Sequence, residues 1–278
     1  MPDDLEAKAD SLEEETTPET PVIYEAVRRL GEQELARPPM SLVWSGLAAG
    51  LSMGFSLLAQ GALRHRLPDA GWRELVTALG YPVGFLMVVL SRQQLFTENT
   101  ITVVVPLLAR PGLAKLWCAA RMWGIVLGCN LVGTALFTLF AGSTKAVPEP
   151  IRGAMLEVSR AAVLHAPLEL GLGAVVAGYL MAAMVWLVTS AGSAQVAIVT
   201  LMTYLIGIGG FGHIVAGAAE SVMLVSHGEM SWADAVTGFG LPVLVGNIVG
   251  GTLLFALLSH AQVMHEHGGS PEQGSSKR

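Results

Sequence analysis

Charge is what this sequence has least of. Only 14% of its 278 residues are Asp, Glu, Lys or Arg, against about a quarter in soluble domains, which excludes an ordinary soluble globular fold. Cysteine is nearly absent as well. Cys118 and Cys129 lie ~16 Å apart by helical rise on one predicted helix, too far to bond to each other, and they read as small packing residues. The sequence has no Walker loop, no dinucleotide glycine pattern after a strand and no clustered His/Cys set with metal-ligand spacing. No metal, cofactor or nucleic acid is therefore expected, and an enzyme is not the favoured class. The Met264-His-Glu-His267 tract reads as solvated tail. The first twenty residues contain neither a basic n-region nor an apolar run, so no signal peptide is expected there.

Apolar surface is plentiful. The chain is 52% hydrophobic with mean hydropathy +0.55. Six segments are long enough for the ~20 apolar residues that span a bilayer: 41–63, 75–108, 113–141, 166–190, 194–225 and 233–259. The net charge of −6 sits in one tail. Residues 1–20 hold eight acids and one lysine, cannot build a core, and are read as disordered. Residues 21–37 read as an amphipathic helix with Ile23, Ala26, Val27 and Leu30 on one face, placed at the membrane interface and capped by Thr20 ahead of Pro21. Residues 41–260 form the transmembrane domain, and 261–278 a flexible C-terminal tail. Six spans put both termini on one side, and the acidic tail places that side in the cytoplasm.

The six segments fall into two halves. Asn130-Leu-Val-Gly133 ends the third and Asn247-Ile-Val-Gly250 the sixth. Phe96 in segment two is matched by Phe211 in segment five, and Gly54 in one by Gly178 in four, at similar separations. Glu98 and His213 correspond in the same scheme. A three-helix unit used twice must enter from opposite sides the second time, giving an inverted repeat with a site near the midplane. Segments two and five are the interrupted ones. Segment two breaks at Ser91-Arg-Gln-Gln-Leu-Phe-Thr-Glu-Asn-Thr100, where Thr97 is expected to cap a half-helix beginning at Glu98. Segment five breaks at its glycines 207, 209, 210 and 212, immediately before His213. Irregular backbone at membrane depth occurs only where protein buries it or water reaches it. The break frees helix N-terminal amides suited to an anion, and His213 can exchange a proton near neutral pH. Intramembrane ionisable groups are functional by default, so His213 is expected to face a pore. Arg121, Glu220 and Asp234 are placed at helix ends, snorkelling.

Leu95-Phe96-Thr97, Phe211-Gly-His213 and Gly246-Asn247-Ile-Val-Gly-Gly251, with Asn130 and Gly133, resemble the formate/nitrite transporter family, in a divergent bacterial inner-membrane subgroup. The resemblance covers about 21–260. It implies an all-α protein of six transmembrane helices in an aquaporin-like outline, helices two and five broken, assembled as a homopentamer with one pore per protomer in the lipid bilayer. It implies passage of small monovalent anions such as formate or nitrite, or their weak acids. Thr97 and His213 would face each other at mid-pore; Leu95, Phe96, Phe85 and Tyr81 would line one half, and Ile206 the other. The sequence departs from the family pattern at Gly212, usually acidic, at Gly217, usually asparagine, and at Glu98, usually small. The lysine expected before helix four is replaced near Ala162, with Arg160 the closest base; Glu169 matches a family acid. Arg92 is a candidate partner for Glu98. Because Glu98 would repel anions, a pore for a neutral or cationic solute is the alternative, followed by a non-transporting scaffold or sensor.

Overall fold

The computed structural model describes residues 18–268. The acidic segment expected over 1–20 lies outside them apart from Pro18, Glu19 and Thr20, as does 269–278 of the expected C-terminal tail. Among the described residues every regular element is helical.

Helix α1 (Thr20–Leu35) has Pro21 in its first turn, where a missing N–H is no loss. Its N-cap is Glu19 and no side chain caps it, so Thr20 is the first helical residue and not the cap. Tyr24, Val27 and Gly31 are buried; a Cβ on Gly31 would overlap the carbonyl oxygen of Thr102, so α1 packs tightly on the chain's own bundle. The opposite face is tied by Arg28 to Glu25 (2.6 Å) and Glu32 (2.7 Å), and by Arg29 to Glu25 (2.7 Å).

Next come α2 (Pro39–Arg66), α3 (Arg73–Thr77), a 3-10 turn (Ala78–Gly80) and α4 (Pro82–Leu90). The chain then leaves the helix, with Arg92 in the left-handed region at φ 53°, and resumes in α5 (Asn99–Thr102) and α6 (Val104–Ala109). After these follow α7 (Leu113–Ser143), α8 (Glu149–Val163), α9 (Pro167–Ser190), α10 (Gln195–Ile208) and α11 (Ile214–Ser226). The last stretch is one long helical run. It comprises α12 (Trp232–Asp234), π-helical Ala235–Gly240, α13 (Leu241–Ile248), π-helical Val249–Ala256 and α14 (Leu257–Gly268). Five helical runs are long and apolar enough to cross a membrane: Pro39–Arg66, Arg73–Leu90, Leu113–Ser143, Pro167–Ser190 and Trp232–Glu266. Residues 192–226 supply two shorter apolar helices, Gly192–Ile208 and Ile214–Ser226.

Two parts differ from the sequence reading. Helix α14 continues to Gly268, past the start of the expected tail at 261. Helix α8 has no counterpart in that reading, yet Ile151, Ala154, Met155, Val158 and Ser159 are among its buried residues, a spacing that puts one stripe toward the core.

Two packed pairs organise the bundle, α2 against α7 and α9 against the α13 run. Both rest on glycines that admit a neighbouring backbone. A Cβ on Gly50 would overlap the carbonyl oxygen of Asn130, and one on Gly178 that of Asn247. Likewise a Cβ on Gly133 would meet the carbonyl of Leu47, and one on Gly250 that of Val175. These contacts define the correspondence of the two halves: Gly50 with Gly178 and Leu47 with Val175 share one offset. The expected match of Gly54 with Gly178 is therefore one helical turn out of phase; Gly54 instead accommodates the ring of Phe137.

Candidate functional site

Two buried asparagines hold the breaks that follow α4 and precede α11. Asn130 Oδ1 accepts from the backbone N–H of Phe96 (2.9 Å), while its Nδ2 donates to the carbonyls of Gly46 (2.8 Å) and Gln94 (2.9 Å). Asn247 does the same in the other half. Its Oδ1 accepts from Ile214 N–H (2.9 Å), and its Nδ2 donates to the carbonyls of Ala174 and Gly212 (2.9 Å each). A carboxamide is the side chain that can accept once and donate twice in this way, and both are fully buried. The asparagines thus equate Phe96 with Ile214 and Gln94 with Gly212. Leu95, not Glu98, is the counterpart of His213, and Phe96 is not the counterpart of Phe211.

Those frames bring Thr97 and His213 together. Thr97 Oγ1 lies 2.7 Å from His213 Nε2. His213 is the N-cap of α11, and its Nδ1 accepts from the N–H of Ala216 (3.2 Å). A backbone N–H can only donate, so Nδ1 carries the lone pair and Nε2 the proton of the neutral ring. Nε2–H therefore donates to Thr97 Oγ1, and the threonine keeps its own hydroxyl proton free. Thr97 does not cap the following helix: α5 begins at Asn99 after Glu98 with no side-chain cap, because the hydroxyl is turned to the histidine. Thr100 instead donates to the carbonyl of Thr97 (2.7 Å).

Apolar rings close around this pair. The Phe85 ring stands edge-on to His213 at 4.9 Å, and Tyr81 packs on Phe85 at 5.2 Å. Phe96 packs edge-on to Trp123 at 5.6 Å. Leu95, Phe96, Thr97, Phe85, Ile206 and His213 are all buried.

A cavity of about 310 Å3 reaches His213 from one side of the bundle. At its outer end Arg64 is bonded to Glu74 and, at 2.8 Å, to Glu157. Tyr81, Ile206, Phe211 and Phe239 line its walls, with Glu220 and His213 at the buried end. Glu220 is thus an interior residue 6% exposed, not a snorkelling helix-end group; it stands two turns beyond His213 on α11.

The remaining candidates lie elsewhere. Arg92 is exposed and makes no ion pair with Glu98, whose Oε1 is buried without a hydrogen-bond partner. The left-handed backbone at Arg92 turns that side chain to the surface. Arg160 bonds Glu229 through two nitrogens, at 2.6 and 2.5 Å, and holds that carboxyl below the usual carboxylate range; it does not line the cavity. Glu169 is exposed in the first turn of α9, with no hydrogen bond or ion pair among the described residues.

An apolar helical bundle with a buried threonine–histidine pair at the inner end of a cavity is the architecture of a membrane transport protein. The family follows from comparison: a family model described as Formate/nitrite transporter matches residues 21–261, and the chain belongs to that family. It is 41% identical over 244 residues to the Inner membrane protein YfdC of Escherichia coli strain K12, covering 88% of this chain and 79% of that protein. It is 24% identical to the Formate channel BtFdhC of Bacillus thuringiensis over 257 residues, 88% of this chain and 96% of that protein. Its fold is similar to a solved pentameric formate channel with formate bound, with TM-score 0.70 and 18% identity, covering 82% of this chain and 97% of that one. The family and the similar solved structures are transporters and channels, not enzymes.

Proposed function

We propose that each protomer is a channel for small monovalent anions of the formate kind, crossing as the anion or its weak acid, with His213 and Thr97 at the narrowest point of the path. The observation that carries this reading is the 2.7 Å bond between them. It spans two helix breaks far apart in sequence and leaves one hydroxyl proton to offer a solute in an otherwise apolar ring. Leu95, Phe96 and Phe85 form the apolar collar. Tyr81, Ile206 and Phe211 belong to the cavity side. Asn130 and Asn247 hold the two breaks in place and touch no solute.

Residues 41–260 make the channel domain, with six spans arranged as two inverted repeats of three and the second and fifth spans broken. The matched asparagine and glycine contacts support the repeat, and interrupted spans at corresponding places mark a transport site. The Escherichia coli relative, an inner membrane protein, supports placement in the bacterial inner membrane. The similar solved formate channel is pentameric, which supports a homopentamer here. Both termini lie in the cytoplasm. The 21–37 helix packs at that face.

Formate uptake into liposomes containing the purified protein tests the reading. Uptake above protein-free vesicles, reduced in Thr97→Val, is the expected result. Wild-type vesicles no more permeable than empty ones would reject it. A second reading is a neutral or cationic solute, and it is favoured by one observation: the unpartnered Glu98 Oε1 beside Thr97. Ammonium uptake without formate uptake would select it.

A further inference from the structure

We infer that Trp123 is a positioning residue of the path: it braces the Thr97 turn on both sides, and through Phe96 it sets the aperture of the apolar collar and the size of solute that passes. The inference rests on the reading of the protein as a channel and adds the residue that fixes its size limit.

The turn that presents Thr97 has little of its own to hold it. The threonine hydroxyl is turned to His213. Helix α5, which starts two residues later, has four residues and no side-chain cap, and a helix of that length does not stand alone. The helical bond that Asn99 O receives from Val103 N–H is 3.4 Å long, beyond the ordinary range of about 2.7–3.2 Å.

Trp123 supplies what is missing. Its indole Nε1–H donates to Asn99 O at 3.1 Å, and its ring meets the Phe96 ring edge-on at 5.6 Å. These two contacts fall on either side of Thr97 and Glu98. Asn130, two turns further along α7, takes the N–H of Phe96 at 2.9 Å. Residues at that spacing share a helix face. One face of α7 therefore holds Phe96 by backbone and by ring, and closes on the carbonyl beyond Thr97. An edge-to-face pair has a preferred geometry, so the orientation of the Phe96 ring in the collar is fixed as well as its depth. An indole is a large apolar ring with one donor and no acceptor, which suits a site made of one ring and one carbonyl.

The other half shows why the donor matters. By the asparagine frames Asn99 corresponds to Gly217, each the third residue after the one whose N–H the asparagine takes. There too an aromatic ring from the asparagine-bearing run lies on that residue: a Cβ on Gly217 would overlap the ring of Phe239. Phe239 has no donor. None is required, because α11 is 13 residues long and His213 caps it on Ala216 N–H. The donating ring stands on the side whose helix is short and uncapped.

Two measurements test this on Trp123→Phe, which keeps a ring against Phe96 and loses the donor, and on Trp123→Leu, which loses both. The first is uptake of lactate, a larger monocarboxylate, relative to formate by proteoliposomes at one fixed pH. The ratio should rise several-fold in Trp123→Phe and about tenfold in Trp123→Leu, the scale of one lost hydrogen bond. In a Phe96→Leu background Trp123→Leu should add no further change, since it acts through that ring. The second is hydrogen exchange of the backbone amides of residues 97–103 in lipid nanodiscs, which should quicken in both variants. Lactate and formate uptake falling by one common factor, or a further full change in the Phe96→Leu background, overturns the inference. If Trp123→Leu does not assemble, Trp123→Phe decides by the same criteria. Faster exchange in a protein that carries no formate rejects the channel reading and leaves Trp123 as the brace of the turn. Wild-type exchange in both variants, with formate flux intact in wild type, overturns the brace alone.

Discussion

Thr97 Oγ1 accepts a hydrogen bond from His213 Nε2 at 2.7 Å, across a sequence separation of 116 residues. The direction of that bond follows from the other ring nitrogen, which accepts from the N–H of Ala216. The threonine is left with a proton to give, held in place by a ring that is itself fixed by the first turn of α11. A hydroxyl so oriented meets an oxygen-bearing solute without rearranging, the condition under which a preorganised donor discriminates best.

Thr97→Val should keep the shape and remove the donor. Formate flux is expected to fall about tenfold or more, since a buried donor lost to the solute is worth ~1–3 kcal/mol. His213→Gln should reduce flux as well, while the assembly elutes as wild type. Stopped-flow light scattering of proteoliposomes reads the flux, and Thr97→Val at wild-type rates would remove the hydroxyl from the path.

Asn130 and Asn247 should prove structural and equivalent. Replacing either by Leu strands one buried N–H and the carbonyl of Gln94 or Gly212 in the break, at about 1–3 kcal/mol per unsatisfied group; Gly46 and Ala174 lie within α2 and α9 and keep their helix bonds. Each variant is expected to lose on the order of 3 kcal/mol or more and to lower the thermal midpoint of the purified protein by similar amounts. A variant as stable as wild type would show that its break is held by other contacts.

Much of this was legible in the sequence because membrane chains announce themselves through long apolar runs, and because Leu95-Phe96-Thr97, His213 and the two asparagines are short-range motifs. Helix α8 was equally legible, its buried stripe recurring at helical spacing, but its modest hydropathy hid it beside stronger segments. Glu220 could have been found by phase: two turns after His213 on an uninterrupted helix is the same face. Gln60 and Thr77, which line the same cavity, could not, since the turn between α2 and α3 decides their proximity. The Arg92–Glu98 pairing failed for a backbone reason, the left-handed conformation at Arg92, which residue type alone does not reveal. The repeat was visible in outline and misaligned in detail because glycines recur every turn on α2, and only the contact with Asn130 selects Gly50.

The ion pairs along α1, which hold its helix from within, should be insensitive to pH near neutrality and fail in strong acid. Hydrogen bonds from Arg28, and then Arg29, lower the Glu25 carboxyl from 4.5 to about 2. A depressed carboxyl contributes stability that is full above its unfolded value and lost as pH falls through its folded one. The contribution of this partly exposed cluster is therefore constant above pH 4.5 and disappears toward pH 2. Limited proteolysis by an acid-active protease should find α1 protected near pH 4.5 and cleaved near pH 2. Glu25→Gln should be cleaved faster than wild type near pH 4.5 and at the same rate near pH 2, and equal protection at both would show that Tyr24, bonded at 2.6 Å to His260, holds the helix without the ion pairs.

Glu98 gives the sharpest expectation about selectivity. It follows Thr97 directly and stands at the N-terminus of α5, where a carboxylate is favoured by the helix dipole at about 0.3–1 kcal/mol for an exposed site. Its Oε1 is buried with no partner. Arg92 does not neutralise it, and the nearby Glu34, bonded to Gln94 at 2.8 Å and ion-paired with Arg37 at 3.0 Å, brings no free cation to it. Glu98 does not line the cavity that reaches His213; on the proposed path, an anion beyond the threonine would meet its uncompensated carboxyl group. Glu98→Gln keeps the size and removes the ionisable group; Glu98→Gly removes the side chain and costs roughly 0.5–1 kcal/mol of helix stability. Both are expected to raise formate flux near neutral pH several-fold over wild type, the glutamine variant without loss of thermal stability. If Glu98→Gln assembles normally and its formate flux does not rise, the carboxyl stands outside the path and serves only the start of α5.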